Sequence, residues 1–174
     1  MEHTLIAHGP QSFSEAELQD FIAMVRAGDE VGRDVLERNV RHAQCLVFLR
    51  RASCLTGVAA LKKPLPRYRQ TIKSRSGVPV EATDFPFELG YVFVLPSARR
   101  QGLSKVLARA ALSASRENGA FATARTDNTA MHATLRRCGF EKKAGSSYAS
   151  GRGNYHLQLF VRPPAQRDAE ANWG

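Results

Sequence analysis

The chain has 174 residues and a net charge of +9, from 25 Lys and Arg against 16 Asp and Glu. This length fits one domain with a buried core, and no apolar run reaches the roughly 18 residues that a membrane-spanning helix needs. The N-terminus lacks the basic start of a signal peptide, so we expect a cytoplasmic protein. The positive charge favours polyanionic ligands such as nucleic acid or a phosphate-bearing cofactor, and it fits ordinary surface solubility equally well.

The cysteines and histidines form no metal-binding pattern. Cys45, Cys54 and Cys138 are odd in number and lack the short paired spacing of zinc and redox sites. The 5 histidines are scattered along the chain. We therefore predict buried, reduced thiols and no metal site.

The N-terminal third is predicted to contain both strands and helices. Apolar residues recur at helical spacing after two serines that can cap a helix, and two later runs are apolar and β-prone. The predicted elements are a strand over 4–7, a helix capped by Ser12 or Ser14, a helix over about 31–43, and hairpin strands over 45–49 and 54–61.

A polar, basic segment occupies residues 64–86. It is too long for a hairpin loop and too polar for a core, so we predict either a lid on the substrate side or a surface loop without function. Its positive charges exceed its negative charges, which favours an anionic ligand nearby. The charges in and beside it are Lys62, Lys63, Arg67, Arg69, Lys73 and Arg75 against Glu81 and Asp84.

Residues 87–95 form the predicted central strand, which is mostly apolar on both faces and is therefore expected to be covered on both sides. Regular alternation predicts one face made of Glu88, Gly90, Val92 and Val94. The odd-numbered residues of the strand form the other face.

The C-terminal half alternates helices and strands, and strand, helix, strand in this order implies a right-handed parallel crossover. The helix over 102–118 has a predicted buried stripe of Leu103, Val106, Leu107, Ala110, Ala111 and Ala114. The later elements are a strand over 120–125, a helix from Asp127 or Asn128 to Cys138, a strand from Phe140 and a last strand over 155–161. We predict one domain over 1–162 and a disordered tail over 163–174.

Residues 95–104 lead from an apolar strand into a basic turn that opens a helix. The first N–H groups of a helix have no intrahelical acceptor and lie at the positive end of its dipole, so they bind anions. Gly102 allows an anion to approach the backbone closely, and Arg99 and Arg100 add positive charge. The turn is therefore predicted to bind phosphate groups.

A second motif is the helix that opens at Asn128 and closes on Gly139-Phe140. Together with the order Arg-x-x-Gly-x-Ser at 99–104, it resembles the GNAT superfamily of acyl-CoA-dependent N-acyltransferases. The resemblance covers residues 87–161, about half of the chain. It implies an α/β (α+β) fold with a mixed central sheet of about six or seven strands flanked by helices, in which a central parallel strand pair is splayed.

The resemblance also implies a reaction and a set of cofactor contacts. An acyl group would pass from acetyl-CoA or a close relative to an amine, without a metal. The backbone of Val92, Phe93 and Val94 would bind the pantetheine arm, while Asn128 would add its side-chain amide or only cap its helix. The phosphate donors would come from Arg99, Arg100, Gln101, Gly102, Leu103 and Ser104.

Glu88 lies where some family members carry the general base. Its predicted face-mates Val92 and Val94 would desolvate the carboxylate and make it a stronger base. Alternatively, Glu88 is a solvated residue at the end of its strand, next to Asp84. We therefore predict either a catalytic role for Glu88 or a plain surface role.

One residue departs from the family pattern. Many members carry a Tyr seven residues after the helix-opening Asn, where it protonates the leaving thiolate, and this chain has Leu135 there. Leucine cannot donate a proton. Tyr148, His132 or water would have to replace that donor, or catalysis would be weak.

Three alternatives stand beside an N-acetyltransferase. A non-catalytic acyl-CoA-binding or regulatory module would keep the Gly102 turn without a proton donor. An acetyltransferase directed at RNA or aminoacyl-tRNA would explain the charge, although no nucleic-acid motif is present. A P-loop hydrolase is disfavoured because no Lys-Ser or Lys-Thr pair follows the turn.

The expected acceptor is a small-molecule or protein amine, and it is anionic if segment 64–86 contacts it. We expect no membrane partner. A homodimer is one of the oligomeric states that the sequence leaves open.

Overall fold

The computed structural model describes residues 2–28 and 32–166. The described strands are β1 (His3–His8), β2 (Cys45–Arg51), β3 (Cys54–Lys62), β4 (Phe87–Val94), β5 (Ala120–Arg125), β6 (Glu141–Lys142), β7 (Tyr148–Ala149) and β8 (His156–Arg162). The described α-helices are α1 (Glu15–Gly28), α2 (Arg33–Arg41), α3 (Pro66–Ser76), α4 (Leu103–Ser113) and α5 (Thr129–Arg137). Short 3₁₀ turns lie at Pro10–Ser12 and Pro96–Ala98.

The strands form one mixed sheet in the order β1-β2-β3-β4-β5-β8-β6, with β7 beside β8. β4 and β5 are parallel, and the other pairs are antiparallel. This arrangement confirms the predicted mixed sheet with a parallel central pair. The described residues hold 8 strands rather than six or seven, because β7, with 2 residues, is too short to leave a periodic pattern.

The two central strands separate soon after they begin. β4 pairs with β5 only at Phe87↔Ala120 and Glu88↔Phe121. β4 then continues along β3, and β5 continues along β8 as far as Arg125. The facing edges of β4 and β5 are therefore splayed beyond Glu88, as predicted.

An irregularity in β4 breaks the predicted alternation. The register between β3 and β4 shifts here, and Tyr91 has a φ of 55°. As a result Leu89, Val92 and Val94 pack in the core cluster that contains α4, while Tyr91 and Phe93 pack against the cluster of α1 and α2. The predicted face of even-numbered residues is wrong, because one extra residue in a strand reverses the alternation after it.

The first helices begin close to their predicted positions. Ser14 forms a capping box with Glu17: the N–H of Glu17 donates to Ser14 Oγ at 3.2 Å, and the N–H of Ser14 donates to Glu17 Oε2 at 2.9 Å. This geometry confirms a serine cap for α1. α2 begins at Arg33, and Val31, the predicted start, lies outside the described residues.

α4 is shorter than predicted, and its buried face is rotated. It ends at Ser113, and Arg116 and Glu117 follow with φ values of 49° and 71°, which a right-handed helix cannot adopt. Val106 of the predicted stripe is 40% exposed. Small alanines flank the stripe on both sides, so the periodicity does not fix which side is buried; the buried residues are Leu107, Ala108, Ala111 and Leu112.

Segment 64–86 is an ordered part of the domain rather than a plain surface loop. It contains α3, which starts with a proline in its first turn and is followed by Gly77, the C-cap, with a φ of 74°. Ile72 of α3 is buried with Val80 of the same segment, with Phe121 of β5, and with Leu159 and Val161 of β8. The prediction that this segment is too polar to belong to the core is wrong, because Ile72 and Val80 are buried, whereas Leu65 is 45% exposed.

The described part of the predicted tail has neither helix nor strand. Within residues 163–166, the N–H of Ala165 donates to the Glu117 carbonyl at 2.9 Å. Residues 167–174 of the predicted disordered tail lie outside the described residues.

The cysteines differ in exposure. Cys45 and Cys138 are buried, as predicted, and Cys54 is exposed, which corrects that part of the prediction. Burial raises the pKa of the Cys45 thiol to about 11, so that thiol stays protonated at neutral pH. Within the described ranges, no group of three or more His, Cys, Asp or Glu is arranged to hold a metal ion.

Candidate active site

The splayed strands open into a cavity of about 540 Å³. Its walls come from β4 and β5, from α1, α2, α3 and α5, from the end of β3 and from residues 148–157. Four predicted site residues line it, namely Glu88, Val92, Phe93 and Asn128. Residues 99–104 and Val94 are outside its lining.

The predicted phosphate-binding turn has an open backbone. Gly102 is the N-cap of α4 with a φ of 72°, and Arg100 has a φ of 64°. Among the described residues, the N–H groups of Gly102, Leu103 and Ser104 donate no hydrogen bond to a backbone carbonyl. A Cβ built on Gly102 meets nothing within 4 Å. Free N–H groups with a glycine at a helix start form an anion site.

The side chains of this turn differ in availability. Arg99 is bound back to the strand, because its Nε donates to the Val94 carbonyl at 3.0 Å and its guanidinium lies 5.7 Å from the centroid of the Phe93 ring. Arg100 and Gln101 are exposed, whereas Leu103 packs against the core. Leu103 therefore offers only its N–H group, and Arg99 holds the turn against the end of β4.

The β4 residues assigned to the pantetheine arm have separate environments. Val92 and Phe93 are half-buried and line the cavity on opposite sides of the strand. Val94 is buried in the core and its carbonyl accepts from Arg99. The edge of β4 that lacks a partner strand and faces the cavity is therefore formed mainly by Val92 and the β4 residues next to it.

Asn128 is an N-cap, one of the two predicted roles. Its Oδ1 accepts from the N–H of Met131 at 3.0 Å. Its side chain also lines the cavity next to Arg125. Because a cap uses only the amide oxygen, the amide nitrogen can still donate to a ligand.

Glu88 is buried, and its carboxylate forms both an ion pair and a hydrogen bond. Its side chain is 4% exposed, and its Oε2 lies 3.0 Å from Lys62 Nζ. The hydroxyl of Tyr68 donates to Glu88 Oε1 at 3.0 Å. The predicted apolar surroundings of Val92 and Val94 and the solvated alternative beside Asp84 are both wrong. The strand irregularity separates Glu88 from those valines, and Lys62 of β3 and Tyr68 of α3 contact the two carboxylate oxygens.

The same cluster shifts the pKa values of its cationic and phenolic members. Burial, the largest single cause, would lower the pKa of Lys62, but the charges of Glu88 and Tyr91 and the hydrogen bond to Glu88 together raise that pKa above its usual value. Burial, followed by the charge of Glu88, raises the pKa of Tyr68 well above its usual range. Lys62 is therefore a cation and Tyr68 a neutral donor at neutral pH.

Tyr91 connects this ion pair to α2. The ring centroid of Tyr91 lies 4.6 Å from Lys62 Nζ, within the range of a cation–π contact. The hydroxyl of Tyr91 accepts from Asn39 Nδ2 at 2.9 Å. Two strands and two helices thus hold the carboxylate of Glu88 in place.

The two alternative proton donors lie in different places. Tyr148 lines the cavity with Leu135, and burial, followed by the charge of Glu88, raises the pKa of Tyr148 to about 12. His132 is outside the lining: its Nε2 is 2.9 Å from the Arg125 carbonyl, and its ring packs on Phe160. Of these two, Tyr148 is the one that faces the cavity.

The sequence profile described as "Acetyltransferase (GNAT) family" matches residues 12–140, which is more than half of the chain. The chain belongs to the GNAT family of acetyltransferases. This confirms the resemblance drawn from the two motifs. No curated protein sequence matches this GNAT chain.

Solved structures share the fold of this GNAT chain at low identity. The ribosomal-protein-S18-alanine N-acetyltransferase from Escherichia coli has a TM-score of 0.67 at 13% identity, over 97% of this chain and 98% of that chain. The acetyl-CoA complex of NAA60 from Arabidopsis thaliana has a TM-score of 0.67 at 12% identity, over 93% and 98%. The acetyl-CoA complex of yncA, a putative acetyltransferase from Salmonella typhimurium, has a TM-score of 0.64 at 14% identity, over 97% and 98%.

Sequence reasoning missed Lys62, Tyr68 and Tyr91 as neighbours of Glu88. Lys62 is directly opposite Glu88 in the β3–β4 register, but 25 residues of chain separate the two in the printed sequence. A hairpin signal between them would have revealed the pair, and α3 replaces the short turn that gives such a signal.

In the part of the chain that the structure describes, no helix is both long and apolar enough to cross a membrane.

Proposed function

We propose that this chain is an N-acetyltransferase that moves the acetyl group of acetyl-CoA directly to the amine of an acceptor. The observation that carries the proposal is the combination of an open helix start at Gly102, a splayed β4–β5 pair and the buried carboxylate of Glu88 in the cleft between the strands. Two neighbours of the same fold were solved with acetyl-CoA, which supports the choice of co-substrate.

The two parts of acetyl-CoA match two features of the chain. The pyrophosphate would accept hydrogen bonds from the N–H groups of residues 102–104, with Arg100 adding charge from solvent. The pantetheine amides would pair with the free edge of β4 at Val92 and with the amide nitrogen of Asn128. This geometry would direct the thioester into the cavity toward Glu88.

Glu88 would take up the proton that the amine loses. The amine nitrogen attacks the thioester carbonyl carbon, the C–S bond breaks, and the thiolate leaves with the electron pair. Lys62 stabilises the ionised, proton-accepting form of Glu88, and a carboxylate with two partners still has free lone pairs for the amine or a bridging water. We assign Lys62 and Tyr68 to positioning this carboxylate.

Tyr148 would assist the departure of the thiolate. Its raised pKa keeps the phenol protonated at neutral pH, so it can donate a hydrogen bond to sulfur. Leu135, buried where many family members carry a tyrosine, cannot do so. Tyr148 belongs to β7 rather than to α5, so it would approach the thioester from the other side of the cavity.

A non-catalytic acyl-CoA-binding module is the second candidate, and Leu135 is the observation that favours it. Such a module would bind acetyl-CoA at the Gly102 turn and release no thiol. The two candidates share the binding site and differ only in turnover. Acetyl-CoA binding therefore tests the site that both need.

We expect Gly102→Val to abolish acetyl-CoA binding. A β-branched side chain at a φ of 72° strains the turn and covers the N–H groups that would hold the pyrophosphate. Acetyl-CoA at about 100 times its Kd should stabilise the wild type by roughly 2.7 kcal/mol, several degrees in Tm, and should leave the variant unchanged. Thermal unfolding with and without ligand measures this difference.

Gly77→Val is the matched control. Gly77 has a φ of 74° and, like Gly102, nothing within 4 Å of a built Cβ, but it lies at the end of α3. Both variants should lose similar intrinsic stability, and only Gly102→Val should lose the ligand shift. Equal ligand shifts in the two variants would refute the assignment of the phosphate site to the Gly102 turn.

A further inference from the structure

The cavity around Glu88 has an excess of positive charge. Six cationic side chains line it against the single carboxylate of Glu88, namely Arg38, Lys62, Lys63, Arg75, Arg125 and Arg152. Lys62 is neutralised by Glu88, and the guanidinium of Arg125 is stacked on the Tyr155 ring at 3.8 Å from its centroid. The remaining four cations have no carboxylate within salt-bridge distance in residues 2–28 and 32–166.

Two of these cations, Arg75 and Arg152, belong to neighbouring parts of the cavity wall. Arg75, from the last turn of α3, lies close to Gly151: a Cβ built on Gly151 would be 2.8 Å from Arg75 Nη1. Arg152 is the next residue, and its charge acts on the pKa values of Lys62, Tyr68 and Tyr148. Two arginines from different segments therefore line the same cavity, and the charges of both act on the pKa of Tyr148.

The other basic residues of segment 64–86 are positioned elsewhere. Arg69 is used internally: its guanidinium donates to the carbonyls of Val80, Phe85 and Pro86 at 2.7, 2.7 and 3.0 Å. Arg67 and Lys73 are exposed and are not part of the cavity lining. Of the four basic residues expected to attract an anionic ligand, only Arg75 therefore lines the cavity. Arg152, which lies outside the segment, also lines it.

We propose that Arg75 and Arg152 bind an anionic group, a carboxylate or a phosphate, of the acceptor whose amine is acetylated. The proposal rests on the proposed N-acetyltransferase function and adds the class of acceptor. Guanidinium pairs bind carboxylate and phosphate oxygens with directed hydrogen bonds. The phosphates of acetyl-CoA have a separate site, since residues 99–104 are outside this cavity lining. The acceptor is thus an amine with an anionic group on the same molecule.

Matched pairs of acceptors test the proposal. Each pair has one amine with and without the anionic group: β-alanine and β-alaninamide, phosphoethanolamine and ethanolamine, and the L-amino acids with their amides. The anionic member of at least one pair should have at least a tenfold higher kcat/KM, most clearly at low salt. The two types of anion distinguish a carboxylate from a phosphate acceptor.

Charge-removing variants connect that preference to the two arginines. Arg75→Gln or Arg152→Gln should raise the acceptor KM by roughly tenfold or more, and the double variant should lose the preference. Gly151→Ala keeps every charge but displaces Arg75, so it should raise the same KM. Arg67→Gln and Lys73→Gln are the matched controls on α3 and should leave the acceptor KM unchanged. None of these variants should change the KM of acetyl-CoA.

The contrary outcomes are equally definite. A preference for the neutral member of every pair, or a preference that survives in the double variant, would overturn the proposal. If the variants raise the KM of acetyl-CoA and not the acceptor KM, the two arginines belong to the cofactor site and the proposal is wrong.

A binding measurement keeps the anion site separate from turnover. With CoA saturating, so that the Gly102 turn is occupied, inorganic phosphate or acetate should raise the Tm of the wild type and not that of Arg75→Gln/Arg152→Gln. Equal shifts in both proteins would contradict the anion site. If no pair is acetylated but this difference is seen, the acceptor-side anion site stands and the proposed transfer to these amines fails.

Discussion

Replacing Glu88 by Gln is expected to lower kcat by about 100- to 10,000-fold, the usual contribution of a general base. Glutamine keeps the shape of the side chain and can still accept from Tyr68, but it cannot take up a proton. The affinity for acetyl-CoA should stay at the wild-type value, because the phosphate-binding turn lies outside the cavity that contains Glu88. Steady-state kinetics with the best acceptor, with acetyl-CoA binding measured in parallel, gives both quantities.

Two further variants make the assignment specific. Glu81→Gln removes an exposed carboxylate from the segment that precedes β4 and should keep full activity. Glu88→Asp keeps a carboxylate but withdraws it, so its kcat should lie between those of the wild type and of Glu88→Gln. Full activity in Glu88→Gln would assign Glu88 to structure only.

Lys62→Met is expected to lower the free energy of unfolding by about 3–5 kcal/mol, because it leaves the Glu88 carboxylate buried without its counter-ion. The side chains of Lys62 and Glu88 are 12% and 4% exposed, so water can replace little of the lost interaction. The pKa of Lys62 is raised above its usual 10.5. The contribution of the pair is therefore present at neutral pH and is lost as the pH rises above the usual lysine range. Denaturant unfolding at neutral pH measures the loss.

The double variant Lys62→Met/Glu88→Gln separates an unpaired charge from lost packing. It removes both charges and should be more stable than Lys62→Met. Arg41→Met breaks the ion pair of Arg41 with the exposed Glu15 and should cost much less. If Lys62→Met stays within about 0.5 kcal/mol of the wild type, the usual range for a surface change, the pair does not stabilise the fold.

Much of the fold follows from patterns that are local in sequence. The serine cap of α1, the hairpin of β2 and β3, and the turn from β4 to α4 each depend on residues within one short stretch. Their boundaries differ from the predicted ones by a few residues. The parallel β4–β5 pair follows because a strand, a helix and a strand leave one right-handed connection.

The surroundings of Glu88 could not be predicted in the same way. One irregular residue, Tyr91, reverses the strand faces, and nothing in its identity announces a φ of 55°. The partners of the carboxylate come from β3 and α3, whose distance from β4 is set by packing. The charge of segment 64–86 predicted an anionic ligand, but only side-chain positions separate Arg69, bound to carbonyls, from Arg75 at the cavity.

Release of CoA thiol from acetyl-CoA, with mass spectrometry of the acceptor, tests the central claim most directly. The acceptors are small amines with and without anionic groups, amino acids, peptides and tRNA. The account predicts that the wild type releases one thiol for each acetylated amine, that release depends on the acceptor, and that Gly102→Val abolishes it. Acetyl-CoA binding without release on any acceptor would instead identify a binding module and contradict the proposed acetyl transfer.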